Sequence, residues 1–146
     1  MLRGSYSARI DDKGRLKIPN AFRALVESPT GGGLYLTSVT GDSVRIYTMS
    51  GWLGVEQRLA RMPSSHPARQ KFLDRVNYFG QLGELDVQMR VLIPTRLREA
   101  AAMTGDVDVL GQVDFLEVWN HERLLAKFQR EPFTDEDARK LAEFGI

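Results

Sequence analysis

Asp11-Asp12-Lys13-Gly14-Arg15 sets an arginine four residues after an aspartate, with a glycine at the bend. Asp can bond its own backbone and Gly accepts positive φ, so this is turn chemistry. A guanidinium fork can bond both O6 and N7 of guanine in the major groove, so an arginine presented this way can read DNA. The other reading of the same residues is a turn closed by a surface ion pair, worth at most ~1 kcal/mol. The pattern returns 75 positions later, where Asp86-Val87-Gln88-Met89-Arg90 carries the same Asp and Arg. Both copies are followed by Ile-Pro, at Ile18-Pro19 and Ile93-Pro94.

Little else in the chain suggests chemistry. The sequence contains no cysteine, which excludes disulfides, thiolate catalysis and cysteine-based zinc sites. Its two histidines, His66 and His121, lie far apart and make a histidine metal site improbable. Gly31-Gly32-Gly33 lacks the Gly-Lys-Ser/Thr that completes a phosphate loop and reads as a chain break. Asp106 and Asp108 have no calcium-loop spacing around them. No catalytic residue, cofactor, metal or small-molecule substrate is expected, and the chain does not read as an enzyme.

The 146 residues allow one domain or two small modules with a common core. Formal net charge is +1. The average conceals a split: residues 1–98 carry 15 Lys and Arg against 8 Asp and Glu, a net of +7, and residues 99–146 a net of −6. A basic first two-thirds suits a polyanion-binding face. The polar start Met1-Leu2-Arg3-Gly4-Ser5 does not resemble a signal peptide, and no apolar run approaches the ~20 residues of a spanning helix. A soluble, cytoplasmic protein is expected.

The elements that position the arginines repeat as well. Tyr6, Ala8 and Ile10 alternate with Ser7 and Arg9 at strand period, and Arg15-Leu16-Lys17-Ile18 alternates again. Phe22, Leu25 and Val26 have helical spacing; Leu34–Ser38 and Val44–Thr48 flank a Gly41-Asp42 turn; Ser50 is placed to cap a helix to Arg61. After a Pro-Ser linker and a helix over Ala68–Phe79, strands at Leu82–Leu85 and Arg90–Ile93 and a helix over Thr95–Met103 repeat the order. Val44-Arg45-Ile46-Tyr47 matches Leu116-Glu117-Val118-Trp119, and Trp52-Leu53 falls opposite Leu124-Leu125. Asn120 caps a helix to about Arg130, and Thr134 with Asp137 forms a capping box for a last helix through Phe144. The division is a first repeat at 1–62, a linker and helix at 63–80, a second repeat at 81–130 and an acidic tail helix at 131–146. Neither half easily builds its own core, so the two are expected to pair about a pseudo-twofold axis in an α+β fold.

The two Asp-x-x-x-Arg copies, each with its Ile-Pro, the start Met1-Leu2-Arg3-Gly4 and the late Leu116-Glu117-Val118-Trp119 resemble the MraZ family over essentially the whole chain. The resemblance implies an AbrB-like swapped-hairpin β-barrel with flanking helices, in tandem copies within one chain. It implies assembly of copies into a ring, a homo-oligomer. It further implies a nucleoid-associated, DNA-binding transcription regulator, usually a repressor, of the division and cell wall gene cluster, recognising short G-rich direct repeats in double-stranded promoter DNA. Its DNA-contacting segments map onto Asp11 to Arg15 and Asp86 to Arg90. The second copy departs from the family pattern, with Gln88-Met89 where the first has Lys13-Gly14. Met tolerates positive φ poorly, so a differently shaped second turn is expected, with Arg90 a weaker contact than Arg15.

Around the first loop, Arg3, Arg9, Lys13 and Lys17 are candidates for phosphate contact, which positions a reader without specifying sequence. Arg58, Arg61, Arg69, Lys71 and Arg75 read as ordinary helix solvation, with an auxiliary polyanion surface or a subunit contact as alternatives. Tyr47, Trp52 and Trp119 read as core or subunit interface before base-stacking platforms, and Phe133 and Phe144 suit docking on the body or a neighbour. The competing function is a ring-forming, antitoxin-like module whose partner is a protein, engaged through the acidic tail or linker helices.

Overall fold

The structure is a computed structural model that describes residues 1–26 and 33–146. Its first half runs β1 (Ser5–Ile10), β2 (Arg15–Lys17), α1 (Asn20–Val26), β3 (Leu34–Thr37), β4 (Val44–Thr48) and α2 (Met49–Leu59). A connecting helix, α3 (Pro67–Tyr78), leads to β5 (Gln81–Gly83), β6 (Arg90–Leu92), α4 (Thr95–Ala100), β7 (Gly105–Gly111), β8 (Leu116–Asn120), α5 (His121–Arg130) and α6 (Asp135–Ala142).

Pleating explains the strand faces. Ala8 and Ile10 turn inward from β1 while Ser7 and Arg9 face out, and Leu16 and Val91 are the buried centres of β2 and β6. The strands form one antiparallel sheet in the order β5-β3-β4-β8-β7-β1-β2-β6. Its two end strands, β5 and β6, are joined by a tight turn, which leaves the sheet a nearly closed barrel.

The halves exchange hairpins. β1 pairs with β7 of the second half and β5 with β3 of the first. Substituting each strand by its repeat partner returns the same circular order, so a pseudo-twofold axis passes through the β2·β6 and β4·β8 pairs. Register agrees, with Leu16 directly opposite its repeat counterpart Val91 at one pole and Arg45 opposite its repeat counterpart Glu117 at the other. Leu16, Ile18, Phe22, Val91, Ile93 and Leu97 are essentially removed from water and fill the shared interior. Removing large apolar side chains from water is the dominant favourable term, and exchange lets two short repeats contribute to one core.

Several boundaries differ from the sequence expectation. Thr48, not Ser50, caps α2: its hydroxyl accepts from the Gly51 amide at 3.0 Å. α4 stops at Ala100 instead of Met103 because Ala102 enters the left-handed region at φ 52°. β5 is Gln81–Gly83, earlier than Leu82–Leu85. Asn120 caps α5, the Thr134–Asp137 capping box forms, and α6 ends at Ala142. The expected Gly31-Gly32 break lies outside the described residues. Among the described residues no helix is long and apolar enough to cross a membrane.

Candidate nucleic-acid interface

The first loop is organised by one carboxylate. Asp11 Oδ1 accepts from the amides of Lys13 and Arg15, both at 2.9 Å, and Oδ2 accepts from Arg15 Nε at 2.8 Å. The turn closes with Gly14 N donating to Asp11 O at 3.0 Å, and Gly14 sits at φ 82°. Asp thus fixes both the bend and the arginine. Amide donation from Arg15, more than any other cause, holds the Asp11 carboxyl down at about pKa 2.

The second loop repeats these bonds residue for residue. Asp86 Oδ1 accepts from the amides of Gln88 and Arg90 at 2.9 Å, and Oδ2 accepts from Arg90 Nε at 2.9 Å. Amide donation from Arg90 likewise lowers the Asp86 pKa. The expectation of a differently shaped turn is corrected here. Met89 adopts φ 61° and donates to Asp86 O at 3.0 Å, just as Gly14 does to Asp11. Its side chain is only 6% exposed and belongs to the barrel core, so burial offsets the left-handed strain.

Hairpin exchange places the two loops side by side. Asp11 Oδ2, already bonded to Arg15, lies 3.9 Å from a terminal nitrogen of Arg90. Arg15 and Lys17 lie on the outer face of β2, where Lys17 pairs in register with Arg90 and Arg15 with Leu92. Each loop is also held by the opposite half: Ile18 N donates to Met89 O and Ile93 N to Gly14 O, both at 2.9 Å. In each arginine the aspartate engages Nε, and the edge formed by the two terminal nitrogens suits a bidentate acceptor.

Arg98, on α4, also belongs to this pole. A β-carbon at position 14 would come within 2.5 Å of Arg98 Cδ, so the α4 side chain packs against Gly14. Its Nη2 donates to Thr95 Oγ1 at 3.0 Å, while its buried Nε has no hydrogen-bond partner. The missing side chain at Gly14 was the available signal, but the packing partner comes from the other half. At the equivalent place Met89 fills space with its own side chain, so the loops match in bonding and differ in packing.

The other predicted residues divide by position. Lys13 is exposed at the tip of the first loop. Arg9, near the end of β1, lies 3.5 Å from its register partner Asp106, both well exposed. Arg3 precedes the opposite end of β1, roughly 25 Å of strand away from the loop, and is not brought into this group. Tyr47 and Trp52 are buried in a satellite cluster with Val76, where Trp52 stacks on Tyr35 at 4.6 Å. Trp119 is buried too, donating to Glu117 at 2.8 Å beneath the Lys127 ammonium. These aromatic side chains build the body. Among the described residues no cluster of three or more His, Asp and Glu is placed to hold a metal.

The sequence model of the MraZ protein family, described as antitoxin-like, matches residues 1–75 and 81–144. The chain is 47% identical over 146 residues to the transcriptional regulator MraZ of Acidobacterium capsulatum, covering all of both chains. It is 45% identical over 147 residues to the protein of the same name in Koribacter versatilis, again over both full lengths. The Deinococcus radiodurans protein of that name is 38% identical over 133 residues, 88% of this chain and 90% of that one.

Proposed function

This chain belongs to the MraZ family, and from that premise we propose that it is a transcription regulator that reads double-stranded DNA through its paired Asp-x-x-x-Arg loops. The observation that carries the reading is the placement of Arg15 and Arg90 beside one another, each held at Nε by its own aspartate. The B-DNA major groove admits a two-stranded ribbon, and β2 with β6 is such a ribbon, carrying Arg15, Lys17 and Arg90 on its outer face. Arginine's preference for guanine fits short G-rich direct repeats, and the family resemblance points to those upstream of the division and cell wall genes, with repression as the outcome. Lys13, Lys17 and Arg9 serve as phosphate contacts; Arg3 belongs to this set only where DNA extends beyond the loops. Such a protein acts in the cytoplasm at the nucleoid and needs no cofactor.

One good bidentate contact is worth roughly 1–3 kcal/mol of base discrimination, so a single copy binds weakly. A ring-shaped homo-oligomer that offers several loop pairs to several repeats gains affinity through effective concentration. Fluorescence anisotropy with the protein's own upstream duplex and a scrambled duplex, at two salt concentrations, tests the reading. Tighter binding to the upstream duplex, lost in Arg15→Ala and steeply weakened by salt, is expected. Equal, weak binding to both duplexes would overturn it and favour a protein partner.

A further inference from the structure

The two loops share their bonding but not their apices. Each is a four-residue turn, closed by Gly14 N on Asp11 O in the first and Met89 N on Asp86 O in the second, both at 3.0 Å. The two central residues are Asp12-Lys13 in one turn and Val87-Gln88 in the other, and all four are exposed. Val87 is 99% exposed. Gln88 uses only its backbone amide in the bond to Asp86, which leaves the carboxamide available at the surface. The ribbon below repeats the contrast, with exposed Lys17 on β2 matched by exposed Leu92 on β6. One edge of this pole is charged, and the other is neutral with apolar groups.

The contrast has a consequence because the loops are related by the pseudo-twofold axis through the β2·β6 pair. A reader with two identical loops selects a site equal to its own reverse complement, as twofold dimers select palindromes. Here the backbone keeps the symmetry and the apex side chains break it. The carboxylate of Asp12 can accept from a cytosine amino group, and Lys13 suits a phosphate. Val87 can pack on the C5-methyl of thymine, and the Gln88 carboxamide can bond N6 and N7 of adenine together. An A·T pair presents both features in the major groove. The carboxylate and ammonium of the first apex match neither.

We infer that Val87 and Gln88 make the second loop the reader of an A·T pair beside the guanine of Arg90, whereas Asp12 directs the first loop to a G·C pair in the equivalent place. The chain then recognises a site with a direction and lies on it one way round. This inference rests on the DNA reading and deepens it, by naming the class of sequence that each loop takes.

In vitro selection by the full chain from a duplex library with a randomised centre tests it. The unaltered chain should enrich a motif with an A·T pair on one side and a G·C pair on the other. Val87→Asp/Gln88→Lys copies the first apex onto the second, and Asp86 still meets the backbone amide at position 88. A melting temperature equal to that of the unaltered chain verifies folding, and this variant should enrich a motif equal to its own reverse complement. In fluorescence anisotropy with the selected duplex, uracil in place of the contacted thymine removes one methyl group. That change should weaken binding of the unaltered chain about fourfold and leave Val87→Ala unaffected. Gln88→Ala should lose at least about fivefold of the preference for adenine. An unaltered chain that already selects a reverse-complement motif, a double variant that selects the original motif, or indifference to uracil would overturn the inference while leaving the DNA reading standing. No enriched motif at all for the unaltered chain would overturn both.

Discussion

Position 89 gives a prediction whose sign runs against ordinary experience. Glycine in regular structure is usually less favourable than alanine by about 0.5–1 kcal/mol. Met89 combines a buried side chain with φ 61°. Met89→Ala removes the side chain but keeps a β-carbon in the left-handed region, so the loss should be about 2–5 kcal/mol, as for other buried Met-to-Ala changes. Met89→Gly loses the same packing but relieves about 1–2 kcal/mol of left-handed strain. Subtracting about 0.5–1 kcal/mol for glycine's extra freedom in the unfolded chain leaves the glycine variant more stable by roughly 1 kcal/mol. For a chain of this size that is about 3 °C in Tm. Thermal and urea melts of the two variants, checked for equal m-values, measure the difference. An alanine variant as stable as the glycine variant, or more so, would refute the argument that the second turn is strained and held by burial.

Two further outcomes follow from the geometry. Gly14→Ala should weaken specific DNA binding in the anisotropy assay more than Met89→Gly does, because its β-carbon meets both positive φ and the Arg98 side chain; equal effects would show that Arg98 does not brace the first loop. His121 Nδ1 lies 2.7 Å from Asp108 Oδ2, and that bond raises the histidine pKa above 6.5. A group with a raised folded pKa contributes stability that is complete below its unfolded value and lost as pH rises through the folded one. The Tm advantage of the unaltered chain over His121→Asn should therefore be largest below pH 6.5 and fade at alkaline pH, and an NMR titration of His121 should return towards 6.5 in Asp108→Asn.

How much was legible depended on whether the controlling interaction was local. Asp11 and Asp86 bond groups no more than four residues away, so loop chemistry, caps at Asn120 and Thr134, and strand faces could be read from neighbouring residues. The repeat added the pseudo-twofold relation, because two copies of one pattern build two copies of one unit. The second turn was misjudged for the converse reason: its shape is decided by burial of Met89 in a core to which both halves contribute, and φ preference alone does not contain that term. The Arg98–Gly14 packing and the Asp11–Arg90 approach join residues more than 75 positions apart. Arg3 and Arg15 lie twelve positions apart in sequence, yet β1 sets them at opposite ends of a strand. The amino-acid pattern determined which groups could read DNA and how each local turn is made. Only the exchange of hairpins, favoured because two short repeats bury more apolar surface together than apart, decided that the two arginines stand at one pole of one barrel.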